Sequence, residues 1–192
     1  MADKELILIL GGVRAGKSSF AHRLASKLGG PVTFVATAEA GDEEMRRRIE
    51  EHKRGRPSSW RTLEAPLQPS AALQQSALAG VVVLDCLTLL VSNLLLQDGD
   101  LSAAQQRVEQ EVTGLLSVFA AGEASFIIVS NEVGMGVVPP YELGRVYRDL
   151  LGEANRRLAQ AADRVYWMLA GLPVEIKASG LAGRGEGLGV QD

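Results

Sequence analysis

The sequence predicts an α/β fold, a doubly wound and mostly parallel sheet with helices on both faces. Strand and helix patterns alternate along the chain, which is the arrangement that βαβ units produce. The strand patterns, such as VVVL at 81–84, are continuously apolar, as expected for strands buried on both faces of a parallel sheet. Glycine-rich loops follow two of these strands, at the sheet edge where ligands bind in such folds.

The individual elements follow from apolar runs and apolar spacing. Runs of β-compatible residues predict strands at 6–10, 32–36, 81–85, 126–130 and 164–170, and a short edge strand at 174–177. Apolar residues spaced three and four apart, or charged runs, predict helices at 19–28, 42–54, 87–96, 102–121 and 141–162. We expect a single domain over residues 1–177 with right-handed crossovers, followed by a Gly-rich flexible tail at 178–192.

Composition narrows the class of protein. The 192 residues are 46% hydrophobic and 22% charged, which is ordinary for a globular domain with a real core. The net charge of −3 supplies no basic field, so we expect no nucleic-acid partner. The single cysteine, Cys86, excludes an internal disulfide and fits the cytoplasm. No apolar run is long enough for a membrane span, and the N-terminus (MADKE) lacks a signal arrangement, so no membrane insertion is expected.

A phosphate-binding loop is the most informative motif. Gly11, Gly16, Lys17 and Ser18 fit the pattern G-x-x-x-x-G-K-[ST], with a predicted strand before it and a helix after it. Backbone N–H groups of such a loop point at phosphate oxygens, and the helix N-terminus adds partial positive charge. We expect Lys17 to reach the β/γ phosphates and Ser18 to hold Mg²⁺. The alternative is a Gly-rich turn that fits by chance. The loop consists of Gly11, Gly12, Val13, Arg14, Ala15, Gly16, Lys17 and Ser18.

Asp85 closes the apolar run VVVLD. In phosphate-loop enzymes, an Asp at this place holds Mg²⁺ directly or through water. The alternative is a cap for the helix that begins near Cys86.

The segment from 42 to 64 carries an unusual cluster of cations. Its first part reads as a solvated helix with i,i+4 ion pairs. Its end places Lys53, Arg54 and Arg56 around His52, one of only two histidines in the chain. Such cations stabilise phosphate oxygens and favour a neutral imidazole, which can attack phosphorus. An ordinary surface histidine is the alternative at this stage. The other histidine, His22, is assigned no chemistry, and Trp60 is interpreted as a core residue.

The loop after the fourth strand reads NEVGMGVVPP over 131–140. Asn131 and Glu132 lie where ligands bind, and are candidates to orient a substrate hydroxyl or a metal-bound water. The alternative is a plain βα connection whose glycines supply positive φ.

Together, these motifs resemble one enzyme family. The matching segments are GGVRAGKSSFA (11–21), FVATAEAGDEEMRRRIEEHKRGRP (34–57), WRTLEAP (60–66), VVVLDCLTLLVSNLL (81–95), SNEVGMGVVP (130–139) and the segment 147–177. The chain resembles the bifunctional adenosylcobinamide kinase / adenosylcobinamide-phosphate guanylyltransferase family of cobalamin biosynthesis. EVGMG and the helix that carries His52 are the specific features, whereas the phosphate loop alone is not.

The resemblance implies two reactions on a corrinoid. The first is phosphorylation of the aminopropanol hydroxyl of adenosylcobinamide by ATP or GTP. The second is transfer of GMP from GTP to that phosphate through a guanylylated histidine, which corresponds to His52. The resemblance also implies a RecA-like phosphate-loop fold, a homotrimer and further nucleotide contacts. Besides the loop residues from Gly11 to Ser18, those contacts fall on Ala36, Thr37, Ala38, Lys53, Arg54, Gly55, Arg56, Glu64 and Asp85, the last of which is often Glu in the family.

Two rival functions remain at this stage. One is a small-molecule kinase that lacks the transferase step. The other is a nucleotide-dependent switch for a partner protein, which would be expected to carry a guanine-selecting Asn-Lys-x-Asp motif. The sequence contains no such motif.

Overall fold

The computed structural model describes residues 4–39, 41 and 43–178. Its strands form one seven-stranded sheet in the order β3-β2-β4-β5-β1-β6-β7, in which only β7 is antiparallel to its neighbour. The strands are β1 (Leu6–Gly11), β2 (Val32–Ala36), β3 (Arg61–Glu64), β4 (Val81–Asp85), β5 (Ser125–Val129), β6 (Arg164–Leu169) and β7 (Leu172–Lys177). The helices are α1 (Lys17–Leu28), α2 (Glu43–Arg54), α3 (Pro69–Gln74), α4 (Leu87–Leu96), α5 (Leu101–Ala121) and α6 (Glu142–Ala161).

The central strands are buried because both of their faces are covered. Alternate residues of β1 belong to two separate cores, with Leu6 and Leu8 on one face and Ile7 and Ile9 on the other. The first core is closed by α3–α6, and the second is closed by α1. The predicted doubly wound parallel sheet is therefore confirmed.

Helix α2 differs from the other long helices because its described side chains are exposed, apart from the half-buried Ile49. Its sequence is rich in Glu and Arg, and Arg46 pairs with Glu43 at 2.6 Å between Nη1 and Oε2. This agrees with the prediction of a solvated helix laced with ion pairs over its first turns.

Most predicted elements are found within one or two residues of their predicted bounds. The helix predicted at 102–121 begins at Leu101, because the Asp100 carboxylate caps it by accepting hydrogen bonds from the N–H groups of Ser102 and Ala103. The predicted edge strand at 174–177 is longer, as β7. Three elements were not predicted, namely strand β3, the six-residue helix α3 and a 3-10 turn at Gln97–Gly99.

Two further expectations concern the chain as a whole. The predicted Gly-rich tail at 178–192 lies outside the described residues, apart from Ala178. Among the residues that the structure describes, no helix combines the length and the apolar character needed to cross a lipid bilayer.

Candidate active site

The carboxyl ends of the parallel strands bring most predicted site residues to one edge of the sheet. The register pairs Glu64 with Ala36, Ala36 with Asp85, and Asp85 with Val129. These residues therefore form a row across four neighbouring strands. Next along the edge is β1, whose last residue, Gly11, begins the 11–18 loop.

The shape of the 11–18 loop depends on its glycines. Gly11 has φ +148°, and a Cβ there would lie 2.5 Å from the carbonyl oxygen of Met168 on β6. Gly16 has φ +87° and stands at the N-cap of α1 without a side-chain cap. The first N–H groups of α1 thus have no helical acceptor and face the loop end, which is an arrangement suited to an anion.

Lys17 is held inside this loop. Its side chain is buried, and its Nζ donates a hydrogen bond of 2.6 Å to the carbonyl oxygen of Gly12. Burial lowers the pKa of Lys17 from its ordinary value, while the charges of Cys86 and Asp85 act in the opposite direction. A cation held in this way is placed to interact with an anion that enters the loop.

Asp85 has the features expected of a cation ligand. Its Oδ2 is buried and has no hydrogen-bond partner among the described residues. It does not cap α4, because the N-cap residue is Cys86 and no side chain caps that end. A buried carboxylate oxygen without a donor fits a divalent cation, and Ser18, the other predicted ligand, lies in the first turn of α1. No cluster of three or more His, Cys, Asp or Glu side chains is found within the described ranges.

Thr37 ties the ends of β2 and β4 together. Its fully buried hydroxyl donates to the Cys86 carbonyl oxygen at 2.7 Å and accepts from the Cys86 N–H at 2.8 Å. The Asn93 side chain of α4 donates to the Thr37 carbonyl oxygen at 2.8 Å. These bonds fix the backbone that follows β2 and the backbone that follows Asp85.

We predict that Thr37→Val destabilises the protein by about 1–3 kcal/mol, since it removes the acceptor of the Cys86 N–H and one of the two donors to the Cys86 carbonyl oxygen, which keeps the Leu90 N–H. Urea unfolding measures the change. The matched control is Thr113→Val on α5, whose hydroxyl also donates to one backbone carbonyl oxygen and accepts from Arg157, but at an exposed position where water can replace both bonds, so the free energy of unfolding is expected to change by less than about 0.5 kcal/mol. Equal effects at the two positions would contradict the tie between the strands.

Cys86 is expected to react slowly in the folded protein. Burial raises the pKa of its thiol from 9.0 to about 11, and the neighbouring Asp85 carboxylate acts in the same direction. Only the thiolate is nucleophilic, so at pH 8 roughly one molecule in a thousand is reactive. We predict alkylation by iodoacetamide about 100-fold slower than in urea, with a rate that rises about tenfold per pH unit from pH 8 to 10. A rate that levels off below pH 9 would contradict this prediction.

The cationic end of α2 reaches the same edge. Lys53 Nζ lies 3.2 Å from Glu64 Oε1. The Arg56 guanidinium lies over the Phe34 ring, 3.7 Å from its centroid, and donates to Thr62 Oγ1 at 3.2 Å. Burial lowers the pKa of Arg56, and the charges of Asp85 and Glu64 oppose this shift. The structure therefore brings together Lys53, Arg56, Glu64 and Asp85.

The other predicted site residues of this segment are His52, Arg54 and Gly55. His52 lies in the last turn of α2, one residue before Lys53, and only its backbone is described. Arg54 is exposed at the end of the helix, and the Gly55 N–H donates to the Glu51 carbonyl oxygen at 3.2 Å.

The Phe34 ring under Arg56 belongs to an aromatic cluster with Trp60 and His22. Trp60 stacks on Phe34 with ring centroids 6.5 Å apart, and His22 meets the edge of Trp60 at 5.0 Å. Trp60 is thus a packing residue, as the sequence suggested. The contact between Phe34 and Arg56 was missed, because a strand residue inside an apolar run gives no sign that a distant cation covers it.

The segment 131–141 follows β5 and touches the 11–18 loop. The Glu132 N–H donates to the Gly11 carbonyl oxygen at 3.3 Å. The Asn131 N–H donates to Thr88 Oγ1 at 2.8 Å, and the Asn155 amide donates to the Asn131 carbonyl oxygen at 3.0 Å. The start of this segment is therefore held by hydrogen bonds to the end of β1, to α4 and to α6.

The strand order and the loop together define a class of protein. Omitting β3 and β7, the sheet runs β2-β4-β5-β1-β6, with a glycine-rich loop that leads from β1 into α1. This is the RecA-like class of phosphate-loop nucleoside triphosphate folds. A solved protein from Pyrococcus horikoshii OT3 shares the fold, with a TM-score of 0.53 at 9% sequence identity over 91% of this chain and 86% of that chain.

The particular family follows from sequence comparison. The family model described as cobinamide kinase / cobinamide phosphate guanyltransferase matches residues 7–176, and the chain belongs to this family. It is 47% identical to the bifunctional adenosylcobalamin biosynthesis protein CobP of Pseudomonas aeruginosa, over 91% of this chain and 98% of that protein. It is 37% identical to the corresponding CobU proteins of Escherichia coli and Salmonella typhimurium, over 90% of this chain and 99% of each relative.

Proposed function

We propose that this chain is a bifunctional enzyme of cobalamin biosynthesis. In the first reaction it phosphorylates the aminopropanol hydroxyl of adenosylcobinamide with ATP or GTP. In the second it transfers GMP from GTP to that phosphate, which yields adenosylcobinamide-GDP and pyrophosphate. The observation that carries the proposal is the meeting of the 11–18 loop, Asp85 and the cations Lys53 and Arg56 at one sheet edge, in a chain of this family.

In the kinase step, the 11–18 loop binds the triphosphate through its N–H groups, and Lys17 stabilises charge on the β- and γ-phosphates. Ser18 and Asp85 hold Mg²⁺, and the orphaned Asp85 Oδ2 supports this assignment. The bound cation would offset the negative charge of the phosphate oxygens. Residues 1–177 act in this proposal as one catalytic domain.

In the transferase step, the neutral imidazole of His52 attacks the α-phosphorus of GTP. A P–N bond forms, the bond between the α-phosphorus and its bridging oxygen breaks, and pyrophosphate leaves. An oxygen of adenosylcobinamide phosphate then attacks the same phosphorus, which releases the imidazole. Lys53, Arg54 and Arg56 offset the negative charge of this step.

The remaining nucleotide contacts are proposed from their placement in the row of strand ends and beside it. They are Ala36, Thr37, Ala38, Gly55 and Glu64. Of these, Thr37 has both its hydroxyl bonds to the backbone of Cys86, so its contribution would come through its main chain or through the position of Asp85.

We also propose a homotrimer, by analogy with the family, and a cytoplasmic location, where nucleoside triphosphates are made. The exposed apolar side chains Leu172, Val174 and Ile176 on the edge strand β7 support a contact between subunits. Sedimentation equilibrium gives the subunit number directly.

The dependence of triphosphate consumption on cobinamide tests the proposed function. The purified protein with Mg²⁺ is expected to consume one triphosphate for each cobinamide when ATP alone is supplied, and two when GTP alone is supplied, one in each reaction. Slow consumption that does not respond to cobinamide would indicate a nucleotide switch and contradict the proposal. Consumption of a single triphosphate per cobinamide with no formation of a guanylylated product would leave the kinase alone.

A further inference from the structure

The segment 131–141 offers a carboxylate beside the phosphate loop. Glu132 follows β5, the immediate neighbour of β1 in the sheet, and its N–H is bonded to the carbonyl oxygen of Gly11. Its half-buried side chain accepts one hydrogen bond, of 2.6 Å, from the Gly134 N–H to Oε1. No cation of the described residues pairs with this carboxylate, so its second oxygen is open to a further partner.

Gly134 allows the Glu132 carboxylate to lie close to the main chain of the turn. A Cβ at Gly134 would lie 2.9 Å from Glu132 Oε1, so a larger residue there would push the carboxylate away from its donor. The short turn between Glu132 and Gly134 thus orients the carboxylate by a main-chain contact.

The rest of the segment is apolar and exposed. Met135 is 81% exposed and Val137 is 96% exposed, and Val138 and Tyr141 are also exposed. The segment is nonetheless tied down at its far end, because Arg145 Nη1 donates to the carbonyl oxygens of Pro139 and Pro140 at 3.2 and 2.9 Å. A fixed apolar surface of this kind marks a binding site for an apolar partner.

The position of this apolar surface next to the 11–18 loop suggests which ligand it binds. The surface is continuous with Glu132 and hence with the 11–18 loop, because β5 lies directly beside β1 in the sheet and the Glu132 N–H donates to the Gly11 carbonyl oxygen. The proposed kinase reaction needs a second substrate at this point, a corrinoid whose wide, largely apolar macrocycle carries the hydroxyl on a short arm. Apolar side chains fit the macrocycle, and a carboxylate fits the hydroxyl.

We propose that the segment 131–141 forms the corrinoid side of the kinase site, with Glu132 as the general base. This inference rests on the proposed function. The hydroxyl oxygen attacks the γ-phosphorus, its proton passes to the open oxygen of the Glu132 carboxylate, and the bond from the γ-phosphorus to the β–γ bridging oxygen breaks. The nucleoside diphosphate leaves, and the proton is later lost to solvent. Met135, Val137, Val138 and Tyr141 contact the macrocycle.

The base is tested with Glu132→Gln, which keeps the acceptor for the Gly134 N–H. We expect the kinase kcat to fall by about 10²–10⁴-fold. Labelling of the protein by GTP and GMP transfer to separately supplied cobinamide phosphate are expected to remain near wild type. An unchanged kinase rate would overturn the assignment, and so would an equal loss of both reactions. A wild-type protein without kinase activity would instead count against the proposed function itself.

The apolar surface is tested with Val137→Asp. We expect the KM for cobinamide to rise about tenfold or more, with the KM for GTP unchanged. The matched control is Leu96→Asp, which places the same charge on an exposed leucine at the end of α4, away from the loops, and is expected to leave both KM values unchanged. An unchanged KM for cobinamide, or a change of subunit number in Val137→Asp alone, would overturn the assignment, the latter by identifying a second copy as the occupant.

Discussion

Replacement of His52 by Asn is expected to abolish GMP transfer and to leave the kinase reaction within about threefold of wild type. The reason is that only the second reaction passes through a covalent bond to the imidazole, and loss of a nucleophile commonly lowers the rate by at least about 10³-fold. His52 lies in the last turn of α2, where the neighbouring side chains Glu51, Lys53 and Arg54 are exposed, and urea unfolding checks that the variant is folded. The two reactions are measured separately, with cobinamide for the kinase and cobinamide phosphate for the transferase.

The chain offers a matched control for this experiment, because it contains one other histidine. His22 packs edge-to-face against the rings of Phe34 and Trp60. His22→Asn is expected to retain GMP transfer. If His52→Asn kept its transferase activity, or if both reactions failed together, the role of His52 as the nucleophile would be wrong.

Replacement of Lys17 by Met is expected to lower kcat/KM of the kinase by about 10²–10³-fold. The ammonium group is the buried cation of the 11–18 loop, whereas Arg14, the other cation of that loop, is exposed. GMP transfer is expected to fall as well, because both reactions place a triphosphate in this loop.

Stability separates this loss of activity from misfolding. Met matches the length of Lys and removes a charge whose burial is unfavourable, since burial lowers the pKa of Lys17. We therefore expect the free energy of unfolding to change by less than about 1 kcal/mol. The control is Lys27→Met, in the exposed last turn of the same helix, which is expected to keep full activity. A Lys17→Met protein that is folded and within tenfold of wild-type activity would contradict the role of the loop.

The fold was largely predictable because each central strand can be recognised from its own sequence. β1 and β4 are buried on both faces and therefore read as continuous apolar runs. β3 (RTLE) was missed because it is an exposed edge strand held by its pairing with β2, and its sequence has no apolar run. The helix α3 was missed because six residues are too few to show a period.

The site was predictable in part. Spacing alone marked Lys17 and Ser18, and the end of an apolar run marked Asp85. The sequence did not indicate which residues these side chains contact. That Arg56 rests on Phe34, and that the Thr37 hydroxyl binds both backbone groups of Cys86, depends on which strands become neighbours. Such contacts between distant parts of the chain are set by the tertiary fold.

The covalent intermediate is the central claim, and labelling tests it most directly. The protein is mixed with Mg²⁺ and GTP radiolabelled at the α-phosphate, denatured and digested, and the labelled peptide is identified. We predict an acid-labile, alkali-stable label on a peptide that contains His52 from α2, and its disappearance when cobinamide phosphate is added. Absence of label from the wild-type protein, while cobinamide is still phosphorylated, would contradict the guanylyl-histidine mechanism and leave a kinase.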